Sequence, residues 1–186
     1  LARFMACYAI ALGAAMGIAF AENLLTLYLF YEILSVSTYP LVAHTGTAKA
    51  RAGARTYLGL LLVTSVGLML PSIIWIWDAT GTLSFSRDGI LAGAVPPGAG
   101  ALLLVALLFG IGKAALMPFH RWLPAAMVAP TPVSALLHAV AVVKAGVFSV
   151  LTVALYVFGL DHLRELVTQP FMLYVAVFTM LAASLV

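Results

Sequence analysis

Four ionisable residues lie inside long apolar stretches of the sequence, where a charge is costly. They are Glu32, Lys113, His138 and Lys144. A charged side chain at the centre of a bilayer costs about 2.5–3.5 kcal/mol even on insertion scales, so such residues commonly mark ion or proton pathways. A buried lysine can release its proton when a neighbouring carboxylate moves away and take one up when the carboxylate returns. Glu32 and Lys113, if their helices are neighbours, therefore predict a proton switch.

His138 and Lys144 share one apolar segment and predict the continuation of such a pathway. At 100° and 1.5 Å per residue, a regular helix separates them by about 120° around its axis and about 9 Å along it. They cannot share one hydrogen bond, but they can serve as successive stations on a water-linked path, with the histidine as a relay. The alternative is structural, because a membrane lysine can extend to the interface or bond a carbonyl, and a histidine can be a packing donor.

The composition excludes a soluble protein. Of the 186 residues, 65% are hydrophobic and 8% are charged, compared with about 45–50% and about 25% in soluble domains. So few charged side chains cannot coat a globule, whereas a lipid-facing surface needs almost none. The net charge of +3 comes from basic residues scattered between apolar segments, which favours orientation in a membrane over nucleic-acid binding. The single cysteine, Cys7, excludes a disulfide framework and a cysteine metal cluster, and no metal site is predicted.

The apolar segments predict an all-α integral membrane protein. A spanning helix needs about 20 apolar residues, and the sequence offers six candidate segments. Their approximate ranges are 2–20, 23–43, 56–77, 99–118, 131–159 and 170–186. These runs are too long for strands and show no period-two alternation. No linker of disordered composition divides them, so residues 1–186 are predicted to form a single transmembrane domain.

The positive charges predict how the chain is oriented. If the spans alternate, five basic residues fall on one side of the membrane: Arg3, Lys49, Arg51, Arg55 and Arg121. Cytoplasmic segments carry an excess of lysine and arginine, so the basic loop 44–55 is predicted to be cytoplasmic. The loops 78–98 and 159–169 are then expected to face outward. The expected location is the inner or plasma membrane, which the chain crosses several times.

Four prolines interrupt the region between the fourth and fifth apolar segments. They are Pro118, Pro124, Pro130 and Pro132. Proline removes a backbone donor and clashes with the preceding turn, so no continuous helix tolerates this density. The helix that carries Lys113 is therefore predicted to stop or unwind here. Broken helices are typical of transport sites, and an ordinary cytoplasmic loop is the alternative.

The motifs around these residues resemble those of a known family. The run 112–139 contains Gly-Lys, Met-Pro, Trp-Leu-Pro and Pro-Thr-Pro-Val-Ser-Ala-Leu-Leu-His in that order. It is similar to the signature of the antiporter-like subunits shared by respiratory complex I, Mrp-type multisubunit cation/proton antiporters and membrane-bound hydrogenases. Tyr31-Glu32 resembles the glutamate-bearing helix of that family. Lys144 and the 35–44 stretch look more like the Mrp D-type and hydrogenase-linked members than the largest antiporter-like component of complex I.

The resemblance implies a proton-translocating subunit of a larger membrane complex. In the family's inverted-repeat fold, this chain would be the first half of a longer subunit whose second half is missing. Carried over by position, Glu32 would be the ion-pair glutamate and Lys113 the pumping lysine of the broken helix, while His138 and Lys144 would be the connecting residues. The implied complex is an Mrp-type Na⁺/H⁺ antiporter, or an NADH:quinone oxidoreductase-like or hydrogenase-like assembly.

The resemblance also implies partners rather than cofactors. The predicted partners are other membrane subunits, the lipid bilayer and protons, with sodium left open because no cluster of oxygen ligands suited to it is evident in the sequence. No flavin, nucleotide, haem or iron–sulfur motif is present, so no cofactor is predicted and any redox chemistry would belong to partner subunits. The alternative function is a structural membrane scaffold whose buried charges only fix helix packing.

Overall fold

Helices form the regular structure of the computed structural model, which describes residues 2–166 and 169–185. Strand pairing within these ranges is limited to one isolated bridge between Asn23 and Ser84. The prediction of an all-α protein is thus confirmed. Residues 167–168 of the predicted 159–169 loop and the last residue of the predicted sixth segment lie outside the described ranges.

Three long helices come first in the chain: α1 (Ala2–Ala19), α2 (Leu24–Val42) and α3 (Ala48–Thr80). Each is long and apolar enough to cross a membrane. Side-chain caps start the second and third helices, because Asn23 Oδ1 accepts from Thr26 N at 2.7 Å and Thr47 Oγ1 accepts from Ala50 N at 3.1 Å. Asparagine and threonine are preferred at this position since they satisfy a free backbone donor. The first three predicted segments are therefore confirmed as helices.

The predicted loop 44–55 is mostly helical, which corrects the sequence-based boundary. Because α3 begins at Ala48, the basic residues Lys49, Arg51 and Arg55 lie in its first turns, where all three are exposed. The cap at residue 47 and the alanines that follow favour a helix more strongly than the charges oppose it. At its other end α3 runs on to Thr80, so the predicted loop 78–98 is also shorter than expected.

The fourth apolar segment forms a shorter helix than predicted, α4 (Pro97–Gly110). It ends before Lys113 instead of reaching residue 118. Beyond it the chain makes two 3-10 turns, Gly112–Ala114 and Phe119–Arg121, and one short helix, α5 (Trp122–Ala126). The predicted broken helix is confirmed, and the break begins upstream of the prolines. Pro118 and Pro130 each precede a helical turn, Pro124 lies within α5, and Pro132 lies in the first turn of the next helix.

Three further helices complete the described chain: α6 (Thr131–Phe158), α7 (Leu160–Glu165) and α8 (Gln169–Ser184). α6 is a fourth helix long enough to span a membrane, and α4 and the apolar part of α8 are shorter. α7 corrects the prediction of an irregular loop at 159–169. Gly159, with a φ of 77°, makes the sharp turn that separates α7 from α6.

Three π-helical turns interrupt the long helices, at Ser65–Met69 in α3 and at Leu136–Val140 and Val153–Phe158 in α6. In the second of them, Ala141 N donates to Leu136 O at 2.8 Å, a bond over five residues instead of four. A π turn shifts every later residue around the helix axis. The 120° separation expected for His138 and Lys144 assumed a regular α-helix and does not hold here.

The core of the protein surrounds the broken segment. The largest fully buried side chains include Trp122, Tyr31, Tyr57 and Lys113. α1 packs along α2, α2 packs against α3, and α6 packs against the turn Gly112–Ala114. Large apolar side chains are exposed on the outer faces of α1, α3 and α8, as expected where lipid replaces water as the solvent.

Candidate functional site

Lys113 lies near the start of the break between α4 and α5 and is 0% exposed. It lies in the 3-10 turn Gly112–Ala114, and Ala115, with a φ of 55°, reverses the chain directly after it. A helix that ends inside a membrane leaves backbone groups without intrahelical partners, and these need partners from neighbouring elements. The residues that supply these partners also surround the lysine side chain.

Tyr31 of α2 holds Lys113 at three points. Its hydroxyl oxygen accepts from Lys113 N at 3.0 Å, and its carbonyl oxygen accepts from Lys113 Nζ at 2.8 Å. The Nζ atom also lies 3.0 Å from the centroid of the Tyr31 ring, where the negative face of the ring attracts a cation. One residue of α2 therefore fixes both the backbone and the charged end of the lysine.

Ser35, one helical turn beyond Tyr31, completes the surroundings of the ammonium group. Its hydroxyl accepts from Lys113 Nζ at 2.6 Å and donates to Tyr31 O at 3.1 Å, and the side chain is fully buried. The ammonium group is thus bonded to a carbonyl and a hydroxyl oxygen, both neutral. An ammonium group that is hydrogen-bonded only to neutral groups loses its proton more easily than one in an ion pair, because an opposite charge nearby stabilises the protonated form.

Glu32 lies next to Tyr31 on α2, the residue that bonds the Lys113 ammonium group. Both carboxylate oxygens are buried and have no hydrogen-bond partner among the described residues. Among the side chains that the structure describes, an ion pair occurs at the surface, between Asp161 and Arg164 at 3.3 Å. The structure places Glu32 beside the residue that holds Lys113 but shows no ion pair between the two, and the predicted ion pair stays a prediction.

A second set of side chains closes the site from α3 and α5. Trp122 Nε1 donates to Gly112 O at 2.9 Å, and the indole ring packs edge-on against Tyr57, with ring centroids 5.5 Å apart. The Tyr57 and Thr38 hydroxyl oxygens are 2.6 Å apart. All of these side chains are fully buried. They connect the broken segment to α2 and α3 through hydrogen bonds as well as packing.

Trp122→Phe is expected to destabilise the folded protein by about 1–3 kcal/mol, because the buried Gly112 carbonyl loses its donor. The smaller ring adds a cavity cost of its own. The measurement is thermal unfolding of the purified protein in detergent, where a lower Tm is expected. Trp77→Phe is the matched control, since Trp77 lies near the end of α3 and is 55% exposed. An equal Tm for the two variants would contradict the role of the Trp122 hydrogen bond.

Gly146 lets α6 approach the broken segment closely. A Cβ atom at this position would lie only 2.7 Å from Lys113 O, and it would also touch the backbone of Ala114. The backbone of α6 therefore packs directly on the backbone of the lysine turn. Small residues permit such approaches between membrane helices, and here the approach holds the backbone of the lysine turn against α6.

His138 and Lys144, the other two predicted pathway residues, lie on α6 and have no hydrogen bond to Lys113. His138 is half-buried within the second π turn, and its Nε2 atom is buried without a partner among the described residues. Lys144 is exposed and lines a groove of about 470 Å³ between α1 and α6, whose other lining residues are apolar. The four predicted residues thus divide into a pair at the break and two residues along α6.

A protein-family model described as NADH:quinone oxidoreductase/Mrp antiporter, transmembrane, matches residues 21–186. The chain belongs to this family. The matched range contains the broken segment and the complete surroundings of Lys113. Membership confirms the resemblance seen in the sequence and makes the chain a multi-pass membrane protein of the NADH:quinone oxidoreductase/Mrp antiporter family.

Relatives of the chain include an antiporter component and an NAD(P)H-quinone oxidoreductase chain. A probable K(+)/H(+) antiporter component of the A/B type, from Rhizobium meliloti, is 39% identical over 152 residues, which are 78% of this chain and 15% of that protein. NAD(P)H-quinone oxidoreductase chain 5 from a Synechocystis species is 35% identical over 156 residues, 80% of this chain and 23% of that protein. The chain thus spans less than a quarter of either relative. Neither relative is of the D type, so they give no support to the D-type preference drawn from Lys144 and the 35–44 stretch.

Two solved structures share the fold. An archaeal membrane-bound sulfane sulfur reductase contains a chain that superposes with a TM-score of 0.70 at 29% identity, covering 77% of this chain and 30% of that one. The Mrp complex from Dietzia sp. DQ12-45-1b gives a TM-score of 0.68 at 28% identity, covering 75% of this chain and 16% of that one. Both are membrane complexes, and the antiporter-like fold expected from the sequence is confirmed.

Proposed function

We propose that this chain is part of a proton-translocating subunit of a larger membrane complex, with Lys113 as the group that takes up and releases the proton. The observation that carries the proposal is the environment of Lys113, an amine that is 0% exposed and bonded only to the carbonyl of Tyr31 and the hydroxyl of Ser35. Burying an amine without a carboxylate partner is costly, and a purely structural role does not require that cost.

The proposed switch uses the unpartnered carboxylate of Glu32. When Glu32 approaches Lys113, the ion pair stabilises the ammonium form and the lysine holds a proton. When no ion pair forms, as in this structure, the ammonium group of Lys113 is bonded to Tyr31 and Ser35 and its proton is more easily released. Moving one charge across 100 mV requires about 2.3 kcal/mol, which matches the change in proton affinity that one close charge can produce.

The remaining assignments complete the proposed pathway. His138 and Lys144 carry the proton onward along α6, through water, toward a second half of the subunit that this chain does not include. We propose a cytoplasmic α2–α3 loop, because the exposed residues Lys49, Arg51 and Arg55 follow it directly and cytoplasmic segments carry an excess of positive charge. The partners are other membrane subunits, and the complex is an Mrp-type antiporter or an NADH:quinone oxidoreductase-like assembly.

Glu32→Gln tests the switch in the full-length subunit within its native complex, reconstituted into proteoliposomes. We expect proton uptake to fall about tenfold or more. The amide cannot form the ion pair that raises the proton affinity of Lys113, so the lysine takes up its proton less readily. The measurement is the rate of acidification reported by a trapped pH-sensitive dye. Glu22→Gln is the control, because Glu22 is an exposed carboxylate in the link between α1 and α2.

Two results would separate the parts of this proposal. An unchanged rate in Glu32→Gln, with normal amounts of assembled complex, would exclude the switch and leave Lys113 to be tested alone. A wild-type complex that moves sodium or potassium ions but no protons under any imposed gradient would overturn proton translocation itself.

A further inference from the structure

We propose that the hydroxyl groups of Ser35, Thr38 and Tyr57 form the route by which Lys113 exchanges protons with the side of the membrane on which the α2–α3 loop lies. This inference rests on the proposed function, since it assigns a route to the proton that Lys113 carries. It gives roles to Thr38 and Tyr57, which the pattern of buried charges does not identify.

Hydrogen bonds describe most of the route directly. Lys113 Nζ donates to Ser35 Oγ at 2.6 Å, and the Thr38 and Tyr57 hydroxyl oxygens lie 2.6 Å apart. In the second contact either oxygen can be the donor. A hydroxyl both donates and accepts, so a chain of such groups can pass a proton along while each group ends neutral. All three side chains are fully buried, which keeps the chain of hydroxyls apart from lipid.

One gap separates the two contacts. Ser35 and Thr38 are three residues apart on α2, so their Cβ atoms lie about 5–6 Å apart on the same face of the helix. A single water molecule can bridge two hydroxyl groups at that separation. In this structure Thr38 Oγ1 lies 2.7 Å from Leu34 O and 3.0 Å from Ser35 O. The Thr38 hydroxyl thus sits one turn beyond Ser35, between Lys113 and Tyr57.

The direction of the route follows from the helices that carry it. α2 runs toward the α2–α3 loop, so Thr38 is about 4.5 Å closer to that loop than Ser35 along the axis. α3 starts at Ala48 on the same side, and Tyr57, nine residues further along α3, meets Thr38 from within the helix. The step from Ser35 to Thr38 therefore leads from Lys113 toward the loop, and Tyr57 connects that step to α3.

The proton balance requires no other reactant. A proton arriving at Tyr57 passes to Thr38, then through the bridging water to Ser35, and finally to the neutral amine of Lys113. Each hydroxyl gains one proton and gives up another, and only the lysine changes its charge. The same steps in reverse release the proton to the loop side.

Thr38→Val and Tyr57→Phe test the route in the full-length subunit within its complex, reconstituted into proteoliposomes. Each variant removes one hydroxyl and keeps the shape of the side chain. We expect either variant to slow proton uptake about tenfold with normal assembly. The double variant should be no slower than the slower single variant, because both changes block one path. Thr38→Ser should transport at the wild-type rate, because serine keeps the hydroxyl group. If Thr38 instead acts only through its methyl group, Thr38→Ser should be as slow as Thr38→Val.

Matched controls exist for both changes. Ser149→Ala removes a buried hydroxyl that donates to Ala145 O within its own helix at 2.7 Å, and Tyr39→Phe removes a phenol hydroxyl from the residue next to Thr38. Rates within about twofold of wild type for Thr38→Val and Tyr57→Phe would overturn the proposed route. If Tyr57→Phe fails to assemble, Thr38→Val with its serine rescue decides the outcome.

Lys113→Met, measured in parallel, separates this inference from the proposed function. If Lys113→Met still moves protons, the proposed function of Lys113 is wrong, and the hydroxyl route to this lysine is excluded with it. If Lys113→Met blocks uptake while both hydroxyl variants transport at the wild-type rate, Lys113 keeps its function and only the hydroxyl route is excluded.

Discussion

Replacement of Lys113 by methionine is expected to abolish proton uptake by the full-length protein while leaving the complex assembled. Methionine fills a similar volume but cannot carry a proton, so a pathway that depends on this group loses at least about 10²-fold in rate. The measurement is the acidification rate in proteoliposomes, normalised to the amount of complex. Lys113→Arg should also be inactive, because a guanidinium group does not release its proton near neutral pH.

The folded state should survive this change. Ser35 already donates to Tyr31 O at 3.1 Å, so that buried carbonyl keeps a partner when the ammonium group is removed. Tyr31 also keeps its bond to Lys113 N, which does not depend on the side chain. Methionine also removes the cost of burying the ammonium group. Lys49→Met serves as the control, since Lys49 is exposed in the first turn of α3. Proton uptake at the control rate in Lys113→Met would exclude the lysine as the transporting group.

Gly146→Leu is expected to prevent stable assembly. The first atom of any side chain at this position would lie 2.7 Å from Lys113 O, and leucine adds three more carbon atoms. Either α6 must move away from the broken segment or the lysine turn must change shape. Overpacking of this kind typically costs about 1–3 kcal/mol, and the displaced turn would also lose hydrogen bonds to Tyr31. The measurement is the yield of folded protein after extraction in mild detergent, together with its Tm.

Gly59→Leu provides the matched control for this prediction. Gly59 also lies within a long helix, but a Cβ atom there would have nothing within 4 Å. The leucine should enter the lipid-facing surface without disturbing the fold. Similar yields and Tm values for the two variants would show that the contact between α6 and the lysine turn is not tight.

Much of the fold could be predicted from the sequence because lipid imposes simple rules. Long apolar runs must be helical, since no other open structure satisfies the backbone in a bilayer, and four prolines in one short stretch must interrupt a helix. Helix ends were less predictable. The start of α3 at Ala48 depends on the cap by Thr47, and the early end of α4 at Gly110 depends on tertiary contacts that replace the lost helical bonds.

The candidate site was only partly predictable for a related reason. Buried charges stand out in an apolar sequence, so Glu32 and Lys113 are recognisable without a structure. Tyr31 and Ser35 do not stand out, because tyrosine and serine also serve as interface anchors and as donors to their own helix. The spacing of Tyr31, Ser35 and Thr38 at i, i+4 and i+7 does indicate one polar face on α2. The contacts from Tyr57 and Trp122 cross between helices and leave no local signal.

The π turn that contains His138 stores one residue more than an α turn would hold. The residues that follow this turn are therefore rotated by roughly 100° about the axis of α6, relative to a regular α-helix that begins at Thr131. For this reason Lys144 lines the groove beside α1 on a face that a regular helical period from Thr131 would not give it.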